Sequence, residues 1–127
     1  MNANKKKRQM RLKRHRHIRK RMEGTPQKPR LCVYRSNEHI YAQVIDDWSG
    51  NTLTSISTLS NEVKDKVEKS GKVDAANTVG SLLGRKCLDL NIRSLVFDRG
   101  GYKYHGRVKA LADGVRKTYE EEGIKAF

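Results

Sequence analysis

The chain has 127 residues and a formal net charge of +14, from 28 Lys and Arg against 14 Asp and Glu. That length suits one domain with an appended tail, and nothing in it approaches the roughly 20 apolar residues of a membrane span. The charge is concentrated. Residues 1–30 hold 13 basic residues and one acid, Glu23, whereas residues 31–127 carry a net charge of only +2. A polycationic arm on a nearly neutral domain needs a polyanion, because its self-repulsion opposes compaction and no acidic segment here can neutralise it. Nucleic acid is the first candidate and an anionic membrane the second.

The arm leads the chain. Residues 5–21 read KKKRQMRLKRHRHIRKR, with 11 of 17 positions Lys or Arg and two more His. Only Met10, Leu12 and Ile18 add apolar side chains. Such low hydrophobicity with such high charge does not offset ordering entropy, which predicts an arm disordered when free. It contains no Gly or Pro, so it is able to become helical once phosphates neutralise its side chains. The N-terminus lacks the apolar core of a secretory signal. It is Arg-rich like an organellar transit peptide, yet residues 2–22 contain no Ser, which such peptides favour. The cytoplasm or an organelle matrix is expected. Glu23-Gly24-Thr25-Pro26-Gln27-Lys28-Pro29 breaks any helix, so the arm is assigned to residues 1–29 and the domain to 30–127.

A first strand is predicted from Arg30 to Arg35, with Leu31 and Val33 on one face and Cys32 and Tyr34 on the other. Ser36-Asn37-Glu38 signals a turn. The second strand, His39 to Ile45, alternates Ile40, Ala42 and Val44 with His39, Tyr41 and Gln43, the pattern of a half-solvated antiparallel strand. Asp46-Asp47-Trp48-Ser49-Gly50-Asn51 turns the chain into a third strand, about Thr52 to Ser57. Residues 58–71 read as a loop with a short helical piece. A helix from about Lys72 to Asn91 carries an apolar stripe of Val73, Ala76, Val79, Leu83, Cys87 and Leu90, with Asn91 as a left-handed cap. Leu95-Val96-Phe97 is a continuous apolar run, expected as a strand buried on both faces and joined by a right-handed crossover beside a meander strand. The last helix spans about Gly106 to Glu122, with Val108, Leu111, Val115 and Tyr119 inward and Gly123 ending it. The expected fold is α/β. Its order is β-β-β-α-β-α, with a mixed three-to-four-stranded sheet, helices on one face, the other face exposed, and a basic N-terminal extension.

The arm carries the strongest chemical signal, since cations that replace condensed counterions give affinity that falls steeply with salt. Second, Arg35, His39, Tyr41 and Gln43 project near or onto the polar side of the sheet, where cations meet phosphates and rings stack on unpaired bases. The bland alternative is an ordinary solvated strand face. Third, Asp98-Arg99-Gly100-Gly101-Tyr102-Lys103-Tyr104-His105-Gly106-Arg107-Val108-Lys109 leaves a strand and enters a helix. Paired glycines permit close backbone approach, and the helix N-terminus adds open amides, so the segment reads as a phosphate cradle. A plain glycine-rich connection is the alternative.

Several apparent motifs fail. Gly80-Ser81-Leu82-Leu83-Gly84-Arg85-Lys86 imitates a phosphate-binding loop but has three residues between its glycines where four are needed, lies mid-helix, and continues into Cys87 rather than Ser or Thr. Cys32 and Cys87 match no disulfide framework or zinc spacing and read as small core hydrophobes. Asp46-Asp47 reads as a turn and Glu120-Glu121-Glu122 as a solvated helix end. No nucleophile, base and orienting group assemble into a catalytic set. No metal, cofactor or enzymatic activity is expected.

Three stretches together resemble large-subunit ribosomal protein eighteen in its bacterial or organellar form. They are Lys28-Pro29-Arg30-Leu31-Cys32-Val33-Tyr34-Arg35-Ser36-Asn37, His39-Ile40-Tyr41-Ala42-Gln43-Val44-Ile45-Asp46-Asp47, and Phe97-Asp98-Arg99-Gly100-Gly101-Tyr102-Lys103-Tyr104-His105-Gly106-Arg107-Val108-Lys109-Ala110-Leu111-Ala112-Asp113. The resemblance covers essentially the whole chain. It implies a mixed α/β sandwich with a basic extension that binds 5S rRNA. With large-subunit ribosomal protein five and other proteins of the central protuberance, it would help attach 5S rRNA to 23S rRNA there, as a monomer within the ribosome and without a membrane. The RNA-binding arm would comprise Lys5, Lys6, Lys7, Arg8, Arg11, Lys13, Arg14, Arg16, Arg19, Lys20 and Arg21, threading between RNA helices. Arg35, Ser36, Asn37, His39 and Tyr41 would form the sheet-side contact, and Arg30 and Gln43 are counted with them as RNA-binding residues. Arg99, Gly100, Gly101, Tyr102, Lys103, Tyr104, His105, Arg107 and Lys109 would form the loop contact. Glu38 stands where the family commonly carries a basic residue, which weakens the case for a phosphate contact at that turn. Gly80 and Gly84 inside a helix are also unexpected, costing about 1 kcal/mol each against Ala. Two rivals come from other classes: an RNA-modifying enzyme with a docking arm, and a membrane-surface module binding anionic lipid.

Overall fold

The structure, a computed structural model, describes residues 2–127. Helix α1 (Ala3–Arg19) is followed by strands β1 (Arg30–Arg35), β2 (Ile40–Asp46) and β3 (Asn51–Ser57), helices α2 (Asn61–Val67) and α3 (Lys72–Asp89), strand β4 (Val96–Asp98) and helix α4 (Gly106–Glu121). The sheet has four strands in the order β3-β2-β1-β4. β1 pairs antiparallel with β2, and β2 with β3, while β4 lies parallel to β1, as the crossover through α3 requires.

Local chemistry sets the turns. Between β1 and β2 the Ser36 amide donates to the His39 carbonyl at 2.8 Å. Between β2 and β3 the Asp46 carboxylate accepts from the Trp48 amide and the Ser49 hydroxyl, both at 3.0 Å. The β2–β3 register shifts beside Val44 and Ile45, leaving Leu53 as an extra residue on the edge strand.

One face of the sheet carries Leu31, Val33, Ile40, Ala42, Val44 and Ile56, all buried. Against it lie Ala76, Val79, Leu83 and Cys87 of α3 and Val108, Leu111, Val115 and Tyr119 of α4, also buried. The helical glycines that looked costly have a use. A methyl group on Gly80 would strike the Leu111 backbone, one on Gly114 would strike the Asn77 carbonyl, and one on Gly84 would crowd Thr118. Their absence of side chain lets α3 and α4 pack closely enough to bury the aliphatic layer between them and the sheet.

Several expectations need correction. Val73 and Leu90, assigned to the apolar stripe of α3, are 51% and 54% exposed. Both lie in terminal positions of the helix, Leu90 being its C-cap. The run Leu95-Val96-Phe97 is not buried on both faces. Leu95 is fully buried, but Val96 and Phe97 are half-buried because β4 is a three-residue edge strand. Cys87 is a core side chain as expected, whereas Cys32 is half-buried on the opposite, polar face of the sheet. Asn91 caps α3 with φ +61°, as its side chain suggested.

The arm is helical here. Asn2 caps it by accepting from the Lys5 amide at 2.8 Å. Polar bonds described below hold it against the β1–β4 side of the sheet, so the polar face is partly covered rather than wholly exposed. Its expected disorder concerns the free chain in solution.

Candidate nucleic-acid interface

Two aspartates at strand ends build the region. Asp98 closes β4 and is fully buried. Its Oδ1 accepts from the Gly100 amide at 2.9 Å, and its Oδ2 accepts from Arg30 Nη1 at 2.7 Å and His15 Nε2 at 2.9 Å. Burial alone would raise its pKa, but the hydrogen bonds from His15, Gly100 and Arg30 outweigh that and hold it below the usual carboxylate range. Asp47, just beyond β2, accepts from Arg30 Nε at 3.0 Å, Arg19 Nη1 at 3.2 Å and the Gly24 amide at 2.7 Å. These donors, Arg30 foremost, hold its pKa at about 2. His15, Asp98, Arg30, Asp47 and Arg19 thus form one continuous polar ladder joining α1 to the sheet, with Arg30 as its buried centre at 7% exposure.

The paired glycines complete the seat for α1. Gly100 and Gly101 adopt φ of +66° and +83°, which an L side chain rarely adopts. A Cβ on Gly100 would strike the Val33 carbonyl, and one on Gly101 the Arg11 carbonyl. The exposed carbonyls are then used by the arm: Arg11 Nη1 donates to Gly100 O and Arg14 Nε to Gly101 O, each at 2.9 Å. This loop, read from sequence as a phosphate cradle, clasps the arm with its carbonyls and the buried Asp98 beneath them.

His15, Cys32 and Asp98 bring three ligand-type atoms within 4.8 Å of one another. They do not fit a metal ion. The Arg30 guanidinium already occupies the Asp98 oxygen that His15 shares. Burial first, and the Asp98 charge second, push the Cys32 thiol up to about 11, which disfavours a thiolate ligand there.

Docking divides the arm. Arg11, Leu12, His15, Ile18 and Arg19 form a half-buried stripe, while Lys5, Lys6, Lys7, Arg8, Lys13, Arg16, Lys20 and Arg21 are exposed. Arg14 is exposed yet tied to the loop. The exposed surface of the arm is therefore densely cationic. Between α1 and the β1–β2 turn runs a groove of about 780 Å³, with Lys6, Lys7, Arg8 and Arg11 on one wall and Tyr34, Arg35, Ser36 and Asn37 on the other. Arg107, at the start of α4, fixes the turn by donating to Ser36 O at 2.9 Å and Asn37 O at 3.3 Å.

The remaining predicted residues are dispersed. Tyr102 is 8% exposed, and its hydroxyl bonds both the amide and the carbonyl of Arg35 at 3.1 Å, so it braces the groove from inside. Arg99 donates to Tyr102 O at 2.7 Å. Tyr104 packs edge-on against Phe97, away from Tyr102, with Arg116 beside it. Lys103, His105, Lys109 and Gln43 are exposed, Tyr41 is half-buried, and His39 Nδ1 lies 2.9 Å from Thr58 Oγ1. Sequence reasoning missed Asp47 as an anchor and Tyr34 as a groove wall. No spacing marks Asp47, whose partners lie 17 to 28 residues away. Tyr34 was detectable, since strand alternation already put it on the face shared with Tyr41.

The family model described as "Ribosomal L18 of archaea, bacteria, mitoch. and chloroplast" matches residues 5–125. The chain belongs to this family. It is 59% identical over 112 residues to large ribosomal subunit protein uL18 of Thermotoga petrophila, covering 88% of this chain and 92% of that protein. It is 50% identical over 118 residues to the protein of the same name in Syntrophotalea carbinolica, covering 93% and 97%. Sorangium cellulosum supplies a third relative so named, 55% identical over 101 residues, covering 80% and 85%. Membership makes the chain a structural constituent of the large ribosomal subunit, with ribosomal RNA as the polyanion its charge demands, and the bacterial relatives place it in a cytoplasmic ribosome. Among the described residues no helix is long and apolar enough to cross a membrane.

Proposed function

We propose that this chain binds 5S rRNA and, alongside large-subunit ribosomal protein five, attaches it to 23S rRNA in the central protuberance, as a monomeric component without cofactor or catalytic turnover. The observation that carries this reading is the docked arm. The ladder through Asp98, Arg30 and Asp47 holds the C-terminal half of α1 on the domain and leaves Lys5, Lys6, Lys7, Arg8, Lys13, Arg16, Lys20 and Arg21 exposed. A helix this densely set with exposed cations tracks a phosphate backbone, while Arg11, Arg14, Arg19 and Arg30 make contacts within the protein. In the free chain the self-repelling arm exchanges between this docked helix and disordered states, and RNA completes its order. Exposed cations of the sheet, the loop and the first turn of α4, Arg35, Lys103 and Lys109, supply further phosphate contacts.

Binding to 5S rRNA, measured beside an unrelated structured RNA of equal length with each titrated against salt, tests this reading. A preference for 5S rRNA that persists as salt rises is expected, because shape recognition by the folded domain does not depend on counterion release. Equal affinities that collapse together would reduce the chain to a nonspecific cationic binder.

A further inference from the structure

We propose that Tyr34 and Tyr41 form a ledge on which an unpaired RNA base stacks, with its flanking phosphates on Lys7, Arg8 and Arg35; this rests on the RNA-binding reading above and adds to it a means of telling unpaired from paired nucleotides. Tyr34 and Tyr41 are direct cross-strand partners of β1 and β2 on the sheet face opposite the core. Their ring centroids are 5.7 Å apart at an interplanar angle of 42°. Tyr34 is nonetheless 52% exposed, and its free surface lines the cationic groove beside α1.

The ring is held before anything binds. Arg11 Cζ sits 5.7 Å from the Tyr34 centroid and 4.8 Å from that of Tyr102, and the same guanidinium is tied to Gly100 O. Tyr41 supports the ring along the sheet. An aromatic whose rotamer is already fixed loses little entropy when a second ring stacks on it. Tyr102 cannot serve, since it is buried and its hydroxyl is bonded to Arg35 on both sides.

The surroundings select the ligand. An apolar partner would have to bury Lys7, Arg8 and Arg35 without counter-charges, whereas a nucleotide offers an aromatic face and an anion at the spacing of one residue. Four-stranded sheets with adjacent aromatics on an open face receive unpaired bases in this way, and stacking tolerates any base because each has a π face. A paired base inside a duplex hides that face. The cations of α1 attract any RNA, and the ledge responds only to a nucleotide in a loop, bulge or end.

The test compares the full chain with Tyr34→Ala, Tyr34→Gln and Tyr34→Phe in titrations of 5S rRNA at several salt concentrations. A parallel titration uses a short single-stranded oligoribonucleotide carrying 2-aminopurine, against its duplex. Tyr34→Ala and Tyr34→Gln should each weaken 5S rRNA binding about five- to a hundredfold. The salt slope should stay unchanged, because no cation is lost. Tyr34→Phe should bind like the parent, and 2-aminopurine emission should change on binding to the parent in the single strand but not in the duplex. Because Tyr34 lies outside the core, both truncations should keep the parent's circular dichroism. Parent-like 5S rRNA affinity in both truncations would overturn the proposal while leaving the RNA-binding reading intact, and would point to a protein segment covering the ledge. Failure of the parent chain itself to prefer 5S rRNA would overturn that reading, and the ledge with it.

Discussion

Helices α1 and α3 are nearly equal in length, 17 and 18 residues, yet they are held by opposite means. α3 buries seven residues, among them Val79, Leu83 and Cys87, and uses glycines to come close to α4. α1 buries none of its side chains fully and is fixed by hydrogen bonds from Arg11, Arg14, His15 and Arg19. Apolar burial is strong and is weakened neither by charge screening nor by mild acid. Polar docking at a half-exposed surface is weaker and responsive to both. The difference separates the labour of the molecule: the α3–α4 layer defines the domain, and α1 is a directional attachment that turns its charge outward.

Removing α1 should break the comparison most visibly. Deletion of residues 1–22 takes away the outward cations and leaves the core face untouched. We expect a domain that still folds and an affinity for 5S rRNA lower by roughly a hundredfold or more at physiological salt, with a shallower salt slope. Circular dichroism with RNA titration checks both halves. An unchanged affinity would show that α1 is not the electrostatic attachment.

Single substitutions sharpen the same contrast. Leu83→Ala, in the fully buried layer of α3, should lower stability by about 2–5 kcal/mol. Arg19→Ala removes a pair with Asp47 that is about one-third exposed on the arginine side, and should cost at most about 1 kcal/mol. Urea denaturation monitored by circular dichroism distinguishes them. Comparable losses would mean that α1 is as integral to the core as α3.

Much of this was legible from the sequence, and the boundary between the legible and the rest is physical. Alternation in Ile40, Ala42 and Val44, and the three-to-four spacing of Val108, Leu111, Val115 and Tyr119, encode which side faces inward, because burial is a property of one segment and its own period. All seven are buried. Gly100 and Gly101 announced a close backbone approach, but not that the approaching chain would be α1. The ladder was invisible for a different reason. His15 and Asp98 are 83 residues apart, and Arg30 and Asp98 are 68 apart, so no local period links them. A run of cations reads as a uniform polyanion-binding surface until topology supplies two carboxylates that commit some of them inward. Cys32 went astray in part for the same cause: Arg30, two residues before it on the same face, was legible, but Asp98 comes from β4 and His15 from α1.

Acid supplies the finest probe of the contrast, because α1 is anchored on buried or half-buried carboxylates that titrate, whereas the apolar anchors of α3 do not and its ion pairs, Lys86–Glu62 and Arg85–Glu122, are exposed. Asp47 has a folded-state pKa of about 2, below the value of about 3.9 for an unfolded aspartate, and Asp98 is shifted in the same downward direction. A depressed carboxylate contributes stability that is complete above its unfolded pKa and is lost as pH falls through its folded one. For Asp47 that window runs from about pH 4 down to about pH 2. Protonation there weakens the bonds to Arg19, Arg30 and the Gly24 amide together, loosening the end of α1 and the linker that follows it. Lowering the pH from 5 should therefore reduce amide-exchange protection in α1 before α3, whose Leu83 and Cys87 contacts carry no titrating charge in that range. Asp47→Asn should remove this residue's share of the pH dependence while leaving the apolar layer in place. Simultaneous loss of protection in both helices, unaffected by Asp47→Asn, would show that α1 and α3 open as one unit and that the distinction between polar and apolar attachment does not govern the opening of the molecule.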